Sequence, residues 1–186
     1  MAKSEGADQH GEPILRERLI AAAIAALERG EGDLSLRALA REVGVSAMAP
    51  YRHFADKAAL MGAVGAHGFK QLRASLVEAD GTSQGREALV AQGLAYLRFA
   101  TAHPALFRLM FSGVCKPASA PGETAYGVLA GRVATLTDDP DAVLACWALV
   151  HGLAMLALDR QEAPEGGAAG DPAGVLRLLA GSLAKR

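Results

Sequence analysis

The chain has 186 residues and a mass of 19.2 kDa, room for one ordinary domain or two small ones sharing a core. Its 19 basic and 20 acidic residues leave a net charge of -1, which excludes a polybasic protein that holds nucleic acid by bulk charge. Hydrophobic residues make up 51% and charged ones 21%, too apolar for a disordered chain, and 40 alanines against 11 valines and 3 isoleucines exclude a largely β protein.

Residues 1–12 read as a flexible, polar N-terminal arm with no apolar stretch of the kind a secretory signal needs. Two cysteines, Cys115 and Cys146, make no disulfide framework, so a reducing cytoplasm is the expected compartment. Pro13 opens a helical pattern that carries Ile14, Leu15, Ile20, Ile24 and Leu27 near a 3.6 period and ends at Gly30. Ser35 is an N-cap for LRALAREV, and Gly44 breaks that second helix. Ser46 can cap a short third helix reaching about Phe54, and Asp56 caps a longer fourth one from Lys57 into Val77. The run DGTSQG at 80–85 is a linker, which places the domain boundary there: 13–79, then 80–186. Helices follow at 86–101, 104–112, 124–136, from Asp139-Pro140 to about Arg160, and at 173–184. KPASAPGE and QEAPEGGAAGDP are the loops among them. The stretch from Ala142 to Leu158 is free of charge, but at 17 residues it is shorter than the roughly 20 a membrane span needs. No membrane partner is expected. A helix apolar all round is buried somewhere, here in a core or an interface.

The strongest local signal runs from Leu36 to Phe54, LRALAREVGVSAMAPYRHF. Leu39 and Val43 form an apolar stripe, Ala40 is small where two helices cross, and Gly44 supplies a left-handed turn. Val45 plugs the space between the helices, and Ser46 caps the second. This is the logic of a helix-turn-helix. The run GVSAMAPYRHFADKAAL resembles the DNA-binding signature of the tetracycline-repressor (TetR) family of bacterial transcription regulators. HPALFRLMFSG at 103–113 and CWALVHG at 146–152 are similar to a subgroup marked by Trp-x-x-x-His-Gly, here Trp147, His151 and Gly152. The resemblance implies an all-α protein: a three-helix DNA-binding domain, a long connecting helix and a helical C-terminal domain for ligand binding and dimerisation.

It also implies roles for particular residues. The third helix would enter the major groove with Ser46, Ala47 and Met48 toward base edges. Tyr51 and His53 match positions that bind phosphates, with Arg52 beside them. Lys57 stands at the start of the fourth helix, where free N–H groups also favour a phosphate. Ser35 and Arg37 open the second helix, which crosses the DNA backbone. Ala47, Met48 and Ala49 can touch thymine methyls but make no bidentate hydrogen bonds. Pro50 requires the recognition helix to start late enough to keep it in the first turn. Between residues 34 and 57 the net charge is only +2, from Arg37, Arg41, Arg52 and Lys57 against Glu42 and Asp56.

In the C-terminal domain, Tyr96, Phe107, Met110, Tyr126, Trp147, His151 and Met155 are the candidate lining of an apolar ligand pocket. For His151 a core position with a hydrogen bond to a backbone carbonyl is the competing reading. The alanine-rich helix at 139–160 and the last helix are the dimerisation candidates. The expected partners are a palindromic double-stranded DNA operator, a second copy of the chain and a small-molecule effector that releases the DNA. No catalytic residue, metal or cofactor is expected, since GxSxG, HExxH, P-loop and Gly-rich βα motifs are all missing. The alternative is a ligand-binding helical protein, or an enzyme, that does not act on DNA.

Overall fold

In a computed structural model of the chain, the structure describes residues 11–31, 34–113, 123–159 and 171–184. These form eight α-helices and one 3-10 turn, with no strand among the described residues. The helices are α1 (Gly11–Glu28), α2 (Leu36–Val43), α3 (Lys57–Asp80), α4 (Gly85–Ala102), α5 (Pro104–Met110), α6 (Ala125–Ala134), α7 (Ala142–Leu158) and α8 (Pro172–Ser182). The turn, η1, spans Ala49–Arg52. Helix α1 begins at Gly11, ahead of Pro13, whose missing N–H costs nothing in a first turn. So the expected arm keeps only residues 1–10, and these lie outside the described residues, as do most of KPASAPGE and QEAPEGGAAGDP.

Helix starts follow side-chain chemistry. Ser35, Asp56, Thr124 and Asp171 each accept a backbone N–H from the first turn they precede, and Pro104 and Pro172 sit where no intrahelical N–H is needed. Leu19, Ile20 and Ala23 of α1 pack with Leu36, Leu39, Phe54 and Leu60 into the core of an N-terminal head. Helix α3, about 36 Å long at about 1.5 Å per residue, does not stop at the head. Its first half buries Leu60, Met61 and Val64 there, and its second half buries Leu72 and Leu76 in the C-terminal domain.

Two features tie the halves together. The Glu28 carboxylate, at the end of α1, accepts the Ala105 and Leu106 N–H groups of the first turn of α5, at 3.1 and 3.0 Å. Helix α5 in turn lies close on α3 because Gly68 has no side chain: a Cβ there would stand 2.6 Å from Met110 Sδ and 3.1 Å from Leu106 Cδ1. Gly68 admits a neighbour, and α3 runs unbroken.

The apolar run of α7 has two faces. Ala142, Cys146, Val150 and Ala154, four apart, are buried on the body of the domain. Leu144, Ala148, Gly152 and Leu156 form an exposed stripe on another face. On α8, Leu176 and Ala180 point inward while Gly174, Leu178 and Gly181 are exposed. No described helix is long and apolar enough to cross a membrane.

Candidate functional site

Helix α2 ends at Gly44, which is left-handed at φ 77°. The Val45 N–H donates to the Ala40 carbonyl at 2.9 Å and the Gly44 N–H to Arg41 at 3.2 Å, so two otherwise orphaned carbonyls are satisfied in a Schellman turn. The Arg18 guanidinium donates to the Val43 carbonyl at 2.7 Å, fixing the same helix end to α1. Ser35 Oγ accepts the Ala38 N–H at 3.2 Å, and this cap is the role its position gives it.

The recognition segment is shorter and tighter than the sequence suggests. In place of a helix starting at Ser46, a 3-10 turn spans Ala49–Arg52, and its cap position is Met48, with no side-chain hydrogen bond. The turn closes by i→i−3 bonds, Ala49 N–H to the Ser46 carbonyl at 3.0 Å and His53 N–H to the Pro50 carbonyl at 3.0 Å, and it tolerates Pro50 because the missing N–H falls in its first turn. Pro50 falls in the first turn and is buried, as its chemistry demands. Phe54 is buried below it, with the Arg16 guanidinium 5.5 Å from its ring centroid.

Around this buried prop the outer surface is open. Ser46, Ala47, Met48, Tyr51, Arg52, Arg37, Arg41 and Lys57 are exposed, and His53 is half-buried. Met48 is 65% exposed, so its thioether stands free on this surface. The two nearby acids are both occupied: Glu42 accepts from Arg29 at 3.1 Å, and Asp56 accepts the Ala59 N–H at 2.7 Å. Among the described residues, Arg37, Arg41, Arg52 and Lys57 carry no carboxylate partner, so a surface of small net charge presents four uncompensated cations. Asp56 also takes one of the α3 N–H groups expected to meet a phosphate, which leaves Lys57 to do so mainly through its charge.

The C-terminal domain encloses a cavity of about 410 Å³, within the range of small-molecule sites. Helices α3, α4, α6, α7 and α8 and the end of α5 wall it. Of the expected lining, Tyr96, Met110, Tyr126 and Trp147 stand on the wall; Phe107, His151 and Met155 do not. Phe107 is fully buried, its ring edge-on to Tyr96 at 5.5 Å and 4.9 Å from Phe111, and so belongs to the core behind the wall. His151 is packed among Phe107, Phe111 and Trp147, with Nδ1 2.9 Å from the Tyr96 hydroxyl. Its partner is thus a side chain and not a backbone carbonyl. Burial pushes the Tyr96 phenol up and the His151 imidazole down, so a protonated phenol meets a neutral ring.

Because the folded state holds His151 below its ordinary value of 6.5, the unfolded chain binds more protons in that window, and stability falls as pH drops through it. The melting temperature should therefore decline between about pH 7 and 5, and His151→Asn should flatten that slope in a thermal scan series. Burial also raises the Cys146 thiol, which keeps it protonated and unreactive.

Sequence reasoning missed Phe69, Leu72 and Leu76 of α3, Gln92 of α4, Phe111 and Leu176, all on the wall. The signal was present: residues 69, 72 and 76 share one face of α3, and Gln92 is a lone polar residue one turn before Tyr96. Among the described residues no group of three metal-binding side chains comes together.

Residues 19–64 match the family model of bacterial regulatory proteins of the tetR family, and residues 89–180 match the tetracyclin repressor-like C-terminal domain. The chain belongs to the TetR family. It is a DNA-binding transcriptional regulator built on an all-helical TetR plan. A solved protein of unknown function from Rhodococcus sp. RHA1 is 32% identical, covering 97% of this chain and 100% of its own, with a TM-score of 0.74. A tetR-family regulatory protein from Rhodococcus RHA1 is 18% identical over 91% of this chain and 96% of its own, TM-score 0.56. The TetR-like regulator LfrR of Mycobacterium smegmatis, solved in complex with proflavine, is 20% identical over 92% of this chain and 97% of its own, TM-score 0.54. At these identities the last two speak for the TetR fold alone. No curated protein matches the chain.

Proposed function

We propose that this TetR regulator is a repressor that binds a palindromic operator as a homodimer and leaves it when a small molecule fills the C-terminal cavity. The observation that carries the DNA half is the exposed rim of Arg37, Arg41, Tyr51, Arg52 and Lys57 around the helix-turn-helix, with both neighbouring acids engaged elsewhere. Arg37, Tyr51, Arg52, His53 and Lys57 hold phosphates and set the register, while Ser35 fixes the start of α2. Ser46, Ala47 and Met48 face the base edges, where the methyl and thioether groups suit thymine methyls. So sparse a set of donors puts weight on DNA shape.

The ligand half rests on the cavity and on what adjoins it. Leu72 and Leu76 on the wall belong to α3, and Met110 and Phe111 end α5, whose other end is gripped by Glu28 of α1. A ligand that prefers one setting of these helices shifts the head between two spacings, and only that preference couples the sites. LfrR holds proflavine on a similar fold, which supports a small-molecule effector here. The motif of Trp147, His151 and Gly152 supports the reading that the chain falls in the Trp-x-x-x-His-Gly subgroup, and that reading makes it a cytoplasmic regulator that catalyses no reaction.

Footprinting on the DNA upstream of the protein's own gene tests this. A protected palindrome whose affinity falls steeply with salt is expected. A helical ligand-binding protein with no DNA role would protect nothing at any salt concentration, and that result would overturn the reading.

A further inference from the structure

Arg16 stands one turn before Leu19 and Ile20 on α1, on the side of the helix that those two residues bury in the head. Position 16 continues their stripe, yet it carries a cation and is exposed. Its guanidinium lies over the Phe54 ring, 5.5 Å from the centroid, and the His53 ring is 6.4 Å from the same centroid. Phe54 is itself fixed beneath the recognition turn, because its N–H donates to the Pro50 carbonyl at 2.9 Å. The charge of Arg16 therefore stands beside the surface of Tyr51, Arg52, His53 and Lys57, although α1 is no part of the helix-turn-helix.

Among the described residues no carboxylate pairs with this charge. Glu17 faces away from it, as sequence neighbours on a helix do. Arg18, by contrast, spends its guanidinium on the Val43 carbonyl. A cation held over a ring loses less freedom on meeting a phosphate than one on a free stem. A guanidinium also keeps N–H donors for two phosphate oxygens at once. The match to the tetR family model begins at residue 19, so that likeness assigns no role to position 16.

Resting on the operator reading above, we infer that Arg16 holds a phosphate of the operator and that Phe54 is the platform that aims it. The DNA-binding surface then extends from the recognition turn onto α1. The added contact is to the backbone, so it tightens binding without choosing bases. In a two-fold complex it adds one phosphate contact at each half-site.

The test compares the wild type, Arg16→Met and Arg16→Lys on the footprinted duplex and on an unrelated duplex of equal length, each over a range of salt. Methionine keeps an apolar stem against Phe54 and removes the charge. Its affinity for both duplexes should fall about tenfold or more, and the slope of log affinity against log salt should become shallower by about 2 in the dimer. Melting temperature and mass should not change. Arg16→Lys should keep the wild-type slope and lose about threefold in affinity, since an ammonium lacks the forked donors. If Arg16 only covers Phe54, Arg16→Met moves the melting temperature and leaves the slope alone, and that result would overturn the proposal. If a variant does not fold, the wild-type Arg16 Nε–H resonance decides: it should move when either duplex is added, and a resonance that stays put sinks the role of Arg16. A wild type that protects no DNA would remove the operator reading and this proposal with it. A wild type that protects its palindrome while Arg16 stays silent would remove the role of Arg16 alone.

Discussion

Leu178→Glu is expected to leave a folded monomer and to weaken operator binding by about a hundredfold to ten-thousandfold, the loss of a second tethered half-site. Leu178 is 78% exposed, and Leu144 and Leu156 on α7 are 55% and 51% exposed. Ala148 and Gly152 on α7 and Gly174 and Gly181 on α8 are exposed too, so both helices present small and apolar residues to solvent. A Cβ added at Gly152 or Gly181 would meet nothing within 4 Å, so these glycines are not needed by the fold of a single chain. They suit the close approach of a second copy, and in a two-fold pair the same patch lies on both sides. A carboxylate at 178 would be carried into that seam without a partner on either chain. Light scattering after gel filtration reads the mass, and circular dichroism shows whether helicity is kept. A variant that stays dimeric with unchanged operator affinity would place the dimer elsewhere.

The second large effect concerns the head. Tyr51→Phe with Lys57→Ala is expected to weaken operator binding about tenfold to a thousandfold while the dimer and its melting temperature stay as they are. Both side chains point to solvent, and among the described residues neither makes an ion pair or a side-chain hydrogen bond, so little folding energy is lost. If each Lys57 neutralises a phosphate, the slope of log affinity against log salt should become shallower by about 2 in a dimer. The loss should also be similar on operator and on unrelated DNA, because a phosphate contact carries no sequence code. An unchanged salt slope would remove Lys57 from the interface.

The head was legible from its sequence because its structure is local. Gly44 at a left-handed position, Ser35 and Asp56 three residues before the N–H groups they cap, and Pro50 confined to a first turn each act within a few residues. What the sequence could not show is how short the recognition segment is, since a 3-10 turn and the first turn of an α-helix share one apolar pattern. In the C-terminal domain the helices follow from alanine content and caps, but the wall of the cavity depends on tertiary packing. Trp147 and His151 share a face of α7, yet only Trp147 reaches the space. His151 is drawn aside by Tyr96, 55 residues away. Asp80, at the end of α3, is gripped by Arg132 of α6 from 52 residues away, a separation at which periodicity carries no information.

The grip of Glu28 on the first turn of α5 bears on how the molecule comes apart. Family models divide the chain into two modules, and a linker at 80–85 marks the seam in sequence. In space, α3 lies in both cores, and the carboxylate at the end of α1 satisfies two N–H groups that would otherwise be bare. Freeing the head would expose Leu60 and Val64 at one end of α3 and uncap α5 at the same time, so neither module keeps its stability without the other. Head and body should therefore unfold as one cooperative unit, and calorimetry is expected to show one melting transition where the domain count suggests two.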